Sequence, residues 1–83
     1  MTIHVRLFAS IRETVGMASL AVDAHPATVA ALRDELVARG PVWSDALGRH
    51  RPVRASVNQV MVDEGAPLSP GDEVAFFPPV TGG

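Results

Sequence analysis

The chain has 83 residues, a formal net charge of −2 and a mean hydropathy of +0.20, which bound it to one domain with one core and argue against disorder. The negative net charge leaves no basic face for nucleic acid; the seven positive charges are all arginine, and there is no lysine. The absence of cysteine removes disulfides, thiolate metal sites and cysteine nucleophiles together.

Ile3, Val5 and Leu7 alternate with His4, Arg6 and Phe8, a period of two that predicts a strand with one buried face. This opening is a strand pattern and not a signal peptide, and no apolar run approaches the ~20 residues of a membrane helix; the expected compartment is the cytoplasm. Residues 9–15 fit a short helix or turn, with Gly16 as its left-handed stop. Ser19 to Asp23 alternates again and predicts a second strand, antiparallel to the first.

His25-Pro26-Ala27-Thr28 breaks the pattern, and Thr28 suits a helix N-cap. Val29, Leu32 and Leu36 follow at helical spacing, with Arg33, Asp34 and Arg39 assigned to the opposite side. Gly40-Pro41 is expected to end this helix. Residues 42–48 read as a short turn, with Trp43 and Leu47 under the sheet edge. Arg54 to Val57 predicts a third strand, Asn58-Gln59 a tight connection, and Val60 to Val62 a fourth. Residues 63–72 read as a loop in which Pro70-Gly71 forms the centre of a type II turn. Glu73 to Phe77 predicts the last strand.

The order β-β-α-β-β-β describes an α+β domain, a mixed sheet of about five strands with one main helix across one face. The first and last strands are expected side by side in its centre. This is the β-grasp, or ubiquitin-like, arrangement. Residues 1–77 form the domain and residues 78–83 an extended tail.

The tail is unusual. Pro78 and Pro79 have no N–H for a sheet and fix their own φ, so they stop the strand and leave the chain extended. Val80 and Thr81 continue it, and Gly82-Gly83 ends it without side chains. Six residues from Pro78 to Gly83 span at most roughly 20 Å, suited to a narrow site on another protein.

The alternation also predicts a patch. If Ile3, Val5, Leu7, Val60, Val62, Val74 and Phe76 face the helix, then Phe8, Met61 and Phe77 face outward on neighbouring strands. Three large apolar side chains on one open face mark a binding surface near the tail, unless Trp43 or the short helix covers them.

Catalytic apparatus is not legible. His4, His25 and His50 are scattered, with no metal-ligand spacing. The acidic pairs Asp63-Glu64 and Asp72-Glu73 read as solvated, apart from turn capping by Asp72. The distinctive reactive group is the carboxylate of Gly83. A carboxylate must be activated before a nucleophile can attack it, and adenylation by ATP is the usual route. A sulfur nucleophile then yields a thiocarboxylate. Glycine leaves the carbonyl unhindered and the backbone free to bend, and no cysteine thiol competes for the activated acyl group.

The stretches Ala55-Ser56-Val57-Asn58-Gln59 and Pro67-Leu68-Ser69-Pro70-Gly71-Asp72-Glu73, running on through Phe76-Phe77-Pro78-Pro79-Val80-Thr81-Gly82-Gly83, resemble the small, sulfur-carrier subunit of molybdopterin synthase, the MoaD family. Val5 to Glu13 matches the same style. The resemblance implies that a ubiquitin-activating-like enzyme adenylates Gly83 with ATP, that a sulfurtransferase system converts it to a thiocarboxylate, and that the tail enters a large subunit carrying the catalytic side chains. It implies a heterotetramer that converts cyclic pyranopterin monophosphate to molybdopterin, with no metal or cofactor bound by the carrier itself. By position it implies that Phe8, Met61 and Phe77 touch the large subunit, followed by Pro78, Pro79, Val80 and Thr81, with Gly82 and Gly83 at the reacting end. Competing readings are a sulfur carrier for another pathway such as thiamine synthesis, a protein modifier joined to targets through Gly83, and a passive interaction domain.

Overall fold

The computed structural model describes residues 2–23 and 26–79. Its elements are β1 (Ile3–Leu7), α1 (Ala9–Val15), β2 (Ser19–Val22), α2 (Val29–Val37), α3 (Pro41–Leu47), β3 (Arg54–Val57), β4 (Val60–Val62) and β5 (Glu73–Phe77). The strands form one mixed sheet in the order β2-β1-β5-β3-β4. The parallel pair β1–β5 lies at its centre, with Val5 beside Val74 and Leu7 beside Phe76. The remaining pairings, β1–β2, β3–β5 and β3–β4, are antiparallel.

Alternation within the strands fills one face with Ile3, Val5, Leu7, Val74 and Phe76. Val29, Leu32 and Leu36 of α2 and Leu47 of α3 close over them in one cluster. Local signals support each joint. Thr28 accepts a hydrogen bond from the Ala31 N–H at 3.1 Å, a cap contributing about 1 kcal/mol. Gly16 ends α1 at φ +84°. Asn58 and Gln59, at φ +49° and +71°, make the tight hairpin between β3 and β4, whose right-handed twist favours such turns. Gly71 at φ +87° sits in the turn closed by the Asp72 N–H and the Ser69 carbonyl.

Four expectations need correction. Residues 42–48 are not a turn: α2 ends at Val37, just ahead of Gly40-Pro41 as expected, and Pro41 then presets the first turn of a further helix, α3. Residues 41–47 are therefore helical, and α3 packs against α1 and α2, which holds Trp43 in the helix layer with Arg39 over its ring at 6.0 Å. Arg33 does not face solvent but is 5% exposed. Its Nε donates to the Leu47 carbonyl at 2.6 Å, and its Nη2 to the carbonyls of Gly48 at 2.8 Å and Arg51 at 2.9 Å. Its Nη1 pairs with Glu64 at 2.5 Å. Burial is possible because each of the three guanidinium nitrogens finds an acceptor. Glu64, in turn, is not simply solvated, since Arg49 also holds it at 2.6 Å. The Arg33 hydrogen bond is the main reason its carboxyl sits below the usual range. Finally, Val60 is 64% exposed. It belongs to a three-residue edge strand beside the hairpin turn, so its pleat position does not bring it under the core.

Candidate functional site

The sheet face opposite the helices carries the candidate site. On it β1 presents His4 and Arg6, β5 presents Glu73, Ala75 and Phe77, β3 presents Arg54 and Ser56, and β4 presents Met61. The register sets these rows: Arg6 lies beside Ala75, Ser56 beside both Ala75 and Met61, and Arg54 beside Phe77. Ala75 and Ser56 are each 9% exposed. Their small side chains make a low floor walled by the longer side chains around them.

Phe8 reaches this face from just beyond β1. It is extended, at φ −129° and ψ 156°, and forms the N-cap position of α1. Its N–H donates to the Phe76 carbonyl at 3.2 Å, which prolongs the β1–β5 pairing by one step and sets Phe8 level with Phe77. The next residue, Ala9, turns the chain into the helix at φ +51°, a left-handed conformation that costs a non-glycine residue about 1 kcal/mol or more. The guanidinium of Arg6 sits 5.6 Å from the centroid of the Phe8 ring.

Phe8 is 40% exposed and Met61 is 51% exposed, while Phe77 is half-buried. The three share one face, but not on successive strands as the alternation suggested. β3 separates β4 from β5, so the apolar surface is continuous only across the Ser56–Ala75 floor. That link was legible as small residues at outward strand positions, yet the pairing of β3 with β5 is a long-range choice. Trp43, the proposed cover, is in the helix layer.

Pro78 and Pro79 carry the chain off the end of β5, both half-buried. Pro78 lines a groove of about 110 Å³ with Ile11 and Thr14 of α1, Ala46 of α3 and Val53. Val80, Thr81, Gly82 and Gly83, expected as partner contacts and reacting end, lie outside the described residues, as does His25. At the opposite end of the face, Asp72 organises the turn before β5. Its carboxylate accepts from the Ser69 N–H at 2.8 Å and from the Asn58 side chain at 3.0 Å. Those two bonds, the Ser69 one foremost, hold its pKa below the usual range.

The Arg33 clasp was missed by the helical reading although a signal existed. Positions 29, 32, 33 and 36 follow the i, i+3, i+4, i+7 spacing of a core stripe, and Arg33 occupies one of them. The clasp fixes residues 48–51, the run that leads into β3, and so steadies the strand that bears Arg54 and Ser56.

A five-stranded mixed sheet with a central parallel pair, helices on one face and an open face on the other defines a ubiquitin-like β-grasp domain. The ThiS family model matches residues 5–83, and the chain belongs to that family. It is 48% identical over 81 residues to the molybdopterin synthase sulfur carrier subunit of Escherichia coli strain K12, covering 98% of this chain and 99% of that one. Among solved structures, SAMP1 from Haloferax volcanii superposes with a TM-score of 0.77 at 32% identity, covering 100% of both chains. A chain in the protein–protein complex of subunits 1 and 2 of molybdopterin-converting factor from Helicobacter pylori superposes with a TM-score of 0.70 at 26% identity, again over 100% of each chain.

Proposed function

We propose that this protein is the sulfur-carrier subunit of a molybdopterin synthase. The observation that carries the reading is the near full-length 48% identity to a subunit of that name. Gly83 is the working residue. Its carboxylate attacks the α-phosphorus of ATP on a partner enzyme, releasing pyrophosphate and leaving an acyl adenylate. Sulfide-level sulfur delivered by a sulfurtransferase system attacks the Gly83 carbonyl; the C–S bond forms as the bond to AMP breaks, AMP leaves, and a thiocarboxylate replaces the carboxylate. The thiocarboxylate then donates its sulfur to cyclic pyranopterin monophosphate in the large subunit, and hydrolysis restores the carboxylate.

Within this reading the domain positions and the tail reacts. Phe8, Met61 and Phe77 form the apolar contact with the large subunit, and Pro78 and Pro79 aim the segment Val80 to Gly83 at its active site. The catalytic side chains belong to the large subunit, with which two carriers form a heterotetramer in the cytoplasm. Neither metal nor cofactor is needed on the carrier, and ATP is consumed by the activating enzyme.

Intact-protein mass spectrometry with fragmentation of the tail tests the proposal. Exchange of one oxygen for sulfur at Gly83, dependent on activating enzyme, ATP and a sulfur donor, is expected. One residue added after Gly83 should abolish charging without affecting folding. The likeness to SAMP1 of Haloferax volcanii, a small archaeal modifier protein by name, favours a second reading as a protein modifier. An isopeptide bond from Gly83 to a target lysine, with no sulfur at Gly83 under charging conditions, would select it.

A further inference from the structure

The open face contains a cation that its apolar residues do not explain. Arg54 lies on β3, directly beside Phe77 of β5. One step along the same face, Ser56 lies beside Met61 of β4. Adjacent strands are about 4.8 Å apart, so a surface touching both Phe77 and Met61 has to cross β3. Ser56 is small and lets it pass. Arg54 is exposed and stands in its way.

The face has two arginines near the tail, and they differ. Arg6 rests over the Phe8 ring and has a carboxylate of its own, Glu73 at 4.0 Å. Arg54 forms no ion pair among the described residues. Asp63 lines the same shallow recess of about 200 Å³, together with Met61 and Val62, but does not engage it. A guanidinium covered without a partner loses its hydration and gains nothing in return, whereas a carboxylate can meet it with two parallel hydrogen bonds.

We propose that the partner surface closing over this face carries a carboxylate side chain, Asp or Glu, set between its apolar contacts to Phe77 and Met61 and held by Arg54. The inference rests on the carrier reading and specifies the chemistry of the large-subunit surface. Arg54 then fixes the lateral register of docking, because the apolar contacts alone tolerate sliding along the sheet. Register matters here: a shift by one residue along the strand moves the tail root by about 3.3 Å relative to the site that Gly83 has to reach.

The test is binding of the full chain to the large subunit of the synthase from the same organism, measured by titration calorimetry. R54L keeps the aliphatic bulk and removes the charge; its affinity is expected to fall about 30-fold, and that of R54E by 100-fold or more. D63N is expected to bind no more weakly than the parent chain. In the R54E background, reversing the matching acidic residue of the large subunit to arginine should recover at least 10-fold, and scanning its surface acids finds that residue. Thermal unfolding of R54L should match the parent, since Arg54 is exposed and forms no ion pair among the described residues.

R54L binding as tightly as the parent overturns the proposal and leaves the carrier reading standing. D63N weakening binding as much as R54L also overturns it, because the two then act as a pair within the chain. So does concentration-dependent dimerisation of the free chain that R54L abolishes, because a second copy then covers the face. A parent chain that neither binds the large subunit nor acquires sulfur at Gly83 removes the carrier reading and this inference together.

Discussion

Replacing Arg33 by methionine keeps the aliphatic stem in the core and removes the guanidinium. Four hydrogen bonds disappear, three to the backbone carbonyls of Leu47, Gly48 and Arg51 and one to Glu64. Hydrogen bonds to a charged group contribute about 1.5–3 kcal/mol each, but they share one donor group and do not add. The orphaned carbonyls at the end of α3 recover part of their bonding from water once the loop loosens. Glu64 is left 39% exposed and still paired with Arg49, so no uncompensated buried charge remains; the cost comes from the three backbone carbonyls and is expected to be about 3 kcal/mol. Against the ~5–15 kcal/mol of a whole domain it is a large fraction, and in a chain this short it lowers Tm by on the order of 15 °C or more. Urea unfolding followed by circular dichroism measures it, with an unchanged slope and a lower midpoint. Amide exchange should accelerate first in residues 48–53, the run the clasp holds. A loss below about 1 kcal/mol would refute the reasoning, because it would mean that water satisfies those carbonyls as well as the guanidinium does.

Four further outcomes are expected. Glu64 and Asp72 both titrate below their ordinary values, Glu64 chiefly through Arg33 and Asp72 chiefly through the Ser69 N–H. Each therefore stabilises the fold at neutral pH, and that stability is lost as pH falls through the folded pKa values; urea midpoints should drop below about pH 4.5, and E64Q should flatten the profile. Q59G relieves a φ of +71° and should raise stability by about 0.5–1 kcal/mol, so a lower Tm would contradict the turn assignment. G48A places a Cβ against the Ser44 carbonyl and 2.7 Å from the His50 ring; a loss of about 1–3 kcal/mol is expected by calorimetry. F8A should weaken binding to the large subunit about 30-fold while shifting stability by less than about 1 kcal/mol, as befits an exposed anchor at an interface; unchanged binding would remove Phe8 from the contact.

Local chemistry made much of this fold legible. Period-two alternation located the strands, because a half-buried pleat needs it. Thr28, Gly16 and Pro70-Gly71 marked joints whose dihedral or capping demands few residue types meet. The outward positions of Phe8, Met61 and Phe77 followed from the same alternation. What local pattern could not do was rank strands across the sheet. Inserting β3 between β4 and β5 is a pairing of distant segments, and it turned three neighbouring apolar residues into two groups joined over Ser56 and Ala75.

The helical spacing of Val29, Leu32 and Leu36 was sufficient for α2, but the same spacing placed Arg33 on the stripe while its charge argued for solvent. Packing settled it in favour of the stripe, with Arg33 5% exposed. It brought the C-terminal end of α3, the following loop and Glu64 around one side chain, and a guanidinium can be buried only where acceptors from several segments converge. Neighbours along the chain suffice for the β-grasp elements, the outward apolar positions and the two prolines that end β5. The tertiary structure decided which charges are buried, which apolar residues adjoin, and that Arg54 stands beside Phe77, because each depends on segments brought together from far apart.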